Sequence, residues 1–146
     1  MQLHIDATGS IIAGKSHTYL YNMVQKIHYH KVPGLPVLQW VSDKHDRKSI
    51  AASLNMWEMS VRGLLSKPHI VVSDFSWAIL HGVSEALNKR QLKEQIAVQW
   101  SLMTGTSEKC VILRLCANHY MHSICRRIKT LQIASTVSEM ILFIDF

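Results

Sequence analysis

Apolar and polar positions alternate from the first residues of the chain. Over residues 3–12, Leu3, Ile5 and Ala7 fall on one side and His4, Asp6 and Thr8 on the other, the pattern of a half-buried strand. Gly14-Lys15-Ser16 is turn-like. Residues 18–27, with Thr18, Tyr19, Tyr21 and Val24, are rich in β-formers and predict a second strand. His28 to Gly34 reads as a polar connection that ends in a Pro-Gly turn. Residues 35–41 predict a third strand. Pro36 has no N–H to give to a ladder, so this strand belongs at a sheet edge. Three strands joined by short connections predict an antiparallel meander.

The period then lengthens. Ile50, Leu54, Trp57, Val61 and Leu64 recur at helical spacing, with Asp46 placed to cap the start and Ser66-Lys67-Pro68 to stop the run. Residues 69–73 return to an apolar strand. A strand, a long helix and another strand make a crossover unit, which predicts parallel pairing with an earlier strand. Residues 75–88 predict a second helix with Ile79, Val83, Ala86 and Leu87 inward. Leu92, Ile96, Trp100 and Met103 set the inward face of a third helix, closed by Gly105. Residues 110–115 read as a short buried strand, and Ala117, Met121, Ile124, Ile128 and Leu131 as a fourth helix. The apolar residues 140–146 fit a last strand or a helix end equally well. The order β-β-β-α-β-α-α-β-α predicts an α/β fold: a mixed sheet, antiparallel meander first and alternating β and α after it, with helices on both faces.

Composition narrows the class. A chain of 146 residues with 48% apolar content suits one globular domain over 1–146. No apolar run approaches the ~20 residues of a membrane span, and no basic-then-apolar leader follows Met1, so neither a membrane segment nor a secretory signal is expected. Cys110, Cys116 and Cys125 are too few and too uneven for a disulfide framework, and predict a reducing compartment, nucleus or cytosol. Sixteen Lys and Arg against ten Asp and Glu give a net charge of +6, which is compatible with a nucleic-acid partner. Arg126, Arg127 and Lys129 form the one short basic cluster. They are candidate nucleic-acid contacts, or alternatively an ordinary solvated helix face.

Two stretches share one build: His4-Ile5-Asp6-Ala7-Thr8-Gly9-Ser10 and Ile70-Val71-Val72-Ser73-Asp74 each carry an acid on a short apolar strand. If the strands are neighbours, Asp6 and Asp74 converge, and two carboxylates supply hard oxygen ligands for Mg²⁺ or Mn²⁺. Such ions clamp the attacking and leaving oxygens of a phosphodiester, which makes both acids candidate catalytic and metal-binding residues. The plainer alternatives are that Asp74 only caps a helix and that Asp6 only ends a strand. Cys116 and His119 stand one helical turn apart at a strand-to-helix junction. His122 and Cys125 continue the three-residue step, but such a step drifts around a helix, so the four cannot meet one zinc ion. A competing motif is Gly9-Ser10-Ile11-Ile12-Ala13-Gly14-Lys15-Ser16, which matches G-x-x-x-x-G-K-[ST] and offers nucleotide binding through Gly14, Lys15 and Ser16. It requires a helix from residue 16 onward. The β-branched Ile11 and Ile12 oppose the tight loop it needs.

Taken together, the IDATGS strand, the VVSDFSWAILHGVSEALN strand-helix and the LCANHYMHSICRRI strand-helix resemble the catalytic core of Mutator-like (MULE-type) DDE transposases, over roughly Leu3 to Lys129. The resemblance implies a ribonuclease H-like fold. In that family the first acid lies on the first strand, matched by Asp6. The second ends the fourth strand, matched by Asp74, and a C-x-x-H motif after the fifth strand is matched by Cys116 and His119, shaping the site edge. It implies metal-dependent cleavage and joining of DNA, with DNA as partner. The family's third acid is a Glu on a late helix beyond a large insertion. Here Glu139 and Asp145 are the only late acids, and neither sits in a matching motif. The expectation is therefore a core incomplete at its carboxyl-terminal end, inactive alone, completed by an oligomer or a missing carboxyl-terminal domain. The alternative within the same fold is a non-catalytic nucleic-acid-binding remnant.

Overall fold

The computed structural model describes residues 1–11, 17–26, 34–105 and 109–131. Ten elements follow the expected order. Strands β1 (Gln2–Gly9), β2 (Tyr19–Lys26) and β3 (Leu35–Ser42) lead into helix α1 (Arg47–Ser60). Strand β4 (Ile70–Ser73), helix α2 (Trp77–Val83) and a π-helical turn (Ser84–Asn88) come next. Helix α3 (Leu92–Met103), strand β5 (Ile112–Leu115) and helix α4 (Ala117–Leu131) complete the set. The contacts fall into two compact units, Met1–Leu115 and Cys116–Phe146.

The first unit is built on a five-stranded mixed sheet in the order β3-β2-β1-β4-β5. β1 pairs antiparallel with β2, and β2 with β3, which gives the meander. The crossover through α1 sets β4 parallel to β1, and β5 is parallel to β4. Pro36 sits on the edge strand, beside a register shift at Met23/Val24.

The alternation read from β1 decides its faces. Leu3 and Ile5 are buried against Met23 of β2, Val71 of β4 and the inner faces of α1 and α2, which contribute Ile50, Leu54, Trp57, Ile79 and Val83. α1 starts at Asp46, whose carboxylate accepts from the Lys48 and Ser49 amides at 2.9 Å each. The Ser49 amide bond, chiefly, holds the Asp46 carboxyl below the usual carboxylate range, helped by Lys48 and Lys44 and opposed by partial desolvation. α2 lies close on α1 because Gly82 has no side chain. A Cβ there would stand 2.7 Å from Ile50 Cγ2 and 3.2 Å from the Arg47 carbonyl oxygen.

Four expectations change. β1 ends at Gly9 rather than running to residue 12, because Ser10 turns into the left-handed region at φ 58°. α1 ends at Ser60 with Val61 as its C-cap, packed on the core as expected, while Leu64 lies past the helix. Gly63 takes φ 82° in the turn that follows, and Leu64 is exposed. α3 buries Leu92 as expected, but its other inward position is Gln95, while Ile96, Trp100 and Met103 are exposed. β5 begins at Ile112 rather than Cys110, and it is a half-open edge, with Val111 just ahead of it as its buried anchor. The connection from His28 to Pro33 and the apolar residues 140–146 lie outside the described residues. Among the described residues, no helix is long and apolar enough to cross a membrane.

Candidate functional site: two acids beside the β1–β4 ladder

The last rung of the β1–β4 ladder pairs Ile5 with Ser73, both buried. One residue further along each strand is an aspartate. Asp6 continues β1, and Asp74 is the first residue past β4, so the ladder brings the backbones of the two acids to neighbouring parallel strands. The sheet thus joins two acids separated by 68 positions. Asp6 is exposed and accepts a bond from the Ala7 amide at 2.9 Å. Asp74 is half-buried, and its Oδ1 is shut off from solvent.

The capping alternative for Asp74 does not hold. Ser76 is the N-cap of α2, accepting from the Ile79 amide at 3.4 Å. Asp74 lies two residues earlier, at the junction itself. Ser76 is also tied back to the sheet. His45 Nε2 lies 3.0 Å from Ser76 Oγ, and His45 Nδ1 lies 2.8 Å from the Tyr21 hydroxyl, which also donates to the Lys44 carbonyl at 3.3 Å. Tyr19 stacks on the His45 ring at 4.8 Å, and Tyr21 on Trp40 at 4.4 Å. Burial, with smaller contributions from Tyr19 and Asp46, pushes the Tyr21 phenol up to about 12. Tyr21 is therefore a neutral strut, and the start of α2 behind Asp74 is fixed from β2 and from the β3–α1 loop.

Two residues not singled out from the sequence extend the acid pair. Asn22 is the cross-strand partner of Asp6, and Gln39 is the partner of Asn22, with Gln39 Nε2 donating to Asn22 Oδ1. Asp6, Asn22 and Gln39 form one polar row across β1, β2 and β3, with Asp74 just past the end of β4. The signal was present as Asn22 between the buried Tyr21 and Met23, a polar residue at an outward position of a central strand.

The chemistry of this row suits a hard cation. Both acids are anionic oxygen donors set by neighbouring strands, and Mg²⁺ is commonly held by one or two carboxylates with waters and phosphate oxygens completing its shell. Among the described residues, no group of three or more His, Cys, Asp or Glu side chains could hold a metal ion. Within the second unit, Cys116 lies just before α4 and its carbonyl accepts from the Tyr120 amide at 3.0 Å, while His119 is exposed in the first turn. Arg126 and Arg127 are exposed on α4. Lys129 lies on the same helix, past the last described side chain. Glu139 and Asp145 lie outside the described residues, as do residues 12–16 of the Gly9-to-Ser16 motif. The helix that a nucleotide-binding loop needs after Ser16 is absent, because Tyr19–Lys26 is a strand paired antiparallel with β1. That reading is withdrawn.

The chain is 32% identical over 141 residues to the 120.7 kDa protein in NOF-FB transposable element of Drosophila melanogaster. The match takes in 86% of this chain and 12% of that protein, so the chain spans a small part of its curated relative's length. No family model matches the chain, and no solved structure matches it. The chain is thus similar to a transposable-element protein.

Proposed function

We propose that the chain is part of the catalytic core of a Mutator-like DDE transposase with a ribonuclease H-like fold, in which Asp6 and Asp74 are the first two metal-binding acids. One relation carries the reading. Asp6 and Asp74 each follow a residue of the last β1–β4 rung, Ile5 with Ser73, in a chain similar to a transposable-element protein. The element order agrees with it: the first acid on the first strand, the second at the end of the fourth, and Cys116-x-x-His119 after the fifth.

Asp6, the more exposed acid, is the face open to a cation and its waters. Asp74, braced through Ser76, His45 and Tyr21, is the fixed one. A bound Mg²⁺ or Mn²⁺ supplies charge neutralisation and polarisation at a DNA phosphodiester. Asp6 and Asp74 are expected to bind the ion, and no third acid is assigned to them among the described residues. The nuclear or cytosolic setting belongs to the same proposal.

Titration of Mn²⁺ into the full chain, followed by calorimetry, tests the reading. Binding that Asp6→Asn and Asp74→Asn each weaken at least tenfold is the expected result. Equal binding by the parent and both variants overturns the metal assignment. Metal-dependent plasmid nicking, lost in Asp74→Ala, would instead show that the two acids suffice for cleavage.

A further inference from the structure

Directly after Asp74 the chain presents two large aromatics to solvent. Phe75 is 50% and Trp77 59% exposed, on either side of the Ser76 cap. Single exposed apolar residues are ordinary. These two are organised: the rings pack edge-to-face at 5.2 Å and 66°, so each restrains the other while both keep surface free. Their foundation is rigid, because Ser76 between them is bonded to His45 and to the α2 amide of Ile79.

The surface continues along α2. Trp77 and His81 are one turn apart with ring centroids 6.3 Å apart. His81 then lines an open cleft of about 450 Å³ walled by Arg47 and Arg90, by Glu85 and Glu94, and by Lys89, which is paired with Glu58 at 3.1 Å. Two flat rings, an imidazole and a cleft with two arginines thus follow Asp74 along α2. Flat π-faces near arginines, in a chain of net charge +6, suit unpaired bases on a phosphate backbone, since every base can stack whatever its sequence. Duplex DNA, with its bases already stacked, has nothing to offer these rings.

We propose that Phe75 and Trp77 form a base-stacking platform for single-stranded DNA, with the strand's phosphates continuing past His81 into the Arg47–Arg90 cleft. The platform holds unpaired bases next to the acid pair, and it rests on the nucleic-acid reading given above. It needs no metal, so it is separable from that reading by experiment.

The test is fluorescence anisotropy of a short dye-labelled oligothymidylate with the full chain, at low salt and in excess chelator. Trp77→Ala is expected to weaken binding about tenfold, the effect of losing one stacked base. Phe75→Ala weakens it less, and Trp77→Phe retains most of it. Trp100→Ala, at an exposed tryptophan on α3, leaves it unchanged. An abasic strand of equal length is expected to bind parent and Trp77→Ala alike and weakly. If Trp77→Ala binds like the parent, or if the abasic strand binds like oligothymidylate, the platform is wrong even where Asp6→Asn abolishes metal binding. If the oligonucleotide does not bind at all, the platform fails and the metal titration alone decides the acid pair. A Trp77 effect with no metal binding leaves the platform standing and removes the acid assignment.

Discussion

Gln99 of α3 holds Leu113 of β5 by both of its backbone polar groups. The Leu113 amide donates to Gln99 Oε1 at 2.7 Å, and Gln99 Nε2 donates to the Leu113 carbonyl at 3.2 Å. Asn88 does the same for Val111, at 2.8 and 2.9 Å. The Ile112 amide points the other way, to the His69 carbonyl beside β4, so Val111 and Leu113 present their polar groups to the open side of the strand. Two carboxamides thus stand where a sixth strand would pair, and they close an edge that would otherwise invite another chain.

Gln99→Leu removes both bonds, together with the one Gln99 Oε1 accepts from Gln95 Nε2 at 2.9 Å, and leaves two backbone groups to find water. Its expected cost is about 1–3 kcal/mol in urea denaturation. Hydrogen exchange localises the effect: the Leu113 amide is expected to exchange faster while Ile112, bonded toward β4, changes little.

Gly82 reports on the helix layer. With Ile50 Cγ2 only 2.7 Å from where a Cβ would be, alanine forces α1 and α2 apart. Gly82→Ala is expected to destabilise by about 1–3 kcal/mol, although alanine is the better helix former. Ile50→Val removes only Cδ1 and keeps the Cβ and Cγ2 that the new methyl meets, so the double variant is expected to recover none of the loss in the same denaturation assay.

These contacts mark what the sequence could and could not disclose. Strand alternation in Leu3, Ile5 and Ala7 and the helical spacing of Ile50, Leu54 and Trp57 were legible because burial imposes those periods directly. Edge placement of β3 followed from Pro36, and parallel pairing of β4 from the long crossover. The α3 face was misread because its apolar stripe, Ile96, Trp100 and Met103, points outward, while the inward positions carry Gln95 and Gln99. Those amides serve the backbone near β5, and a hydrophobic period cannot register a helix that buries carboxamides. The acid pair was legible as two similar strands. Its extension to Asn22 and Gln39 depended on register across three strands, and the Tyr21–His45–Ser76 brace joins residues from three separate segments with no shared motif.

Tyr21 makes a pH prediction. Its folded phenol titrates at about 12 rather than the ordinary 10.0, so folding favours the neutral form. The stabilisation is complete below pH 10 and is lost as pH rises toward 12. Tyr21→Phe also loses the hydroxyl contacts with His45 and Lys44. Its melting temperature is expected to lie below the parent's at neutral pH. The gap should narrow through the alkaline range, since the variant has no phenol there to ionise. A gap that stays constant to pH 12 would show that the Tyr21 hydroxyl is not what the alkaline loss reports.

The acid pair should leave a stability signature of its own. Two carboxylates that share one cation repel each other when it is removed. Sites arranged for ligand chemistry often carry such a cost, and neutralising them stabilises the fold while removing the function. Asp6 is the better probe, because its side chain is exposed and asparagine can still accept from the Ala7 amide. In chelator, Asp6→Asn is expected to melt above the parent. With Mg²⁺ added, the order should reverse. The parent gains stability by mass action, about 1.4 kcal/mol at ten times the dissociation constant, while the variant gains far less. Parallel shifts of both proteins with Mg²⁺ would place the bound ion elsewhere. A variant that melts below the parent in chelator would mean that Asp6 serves the fold rather than a cation.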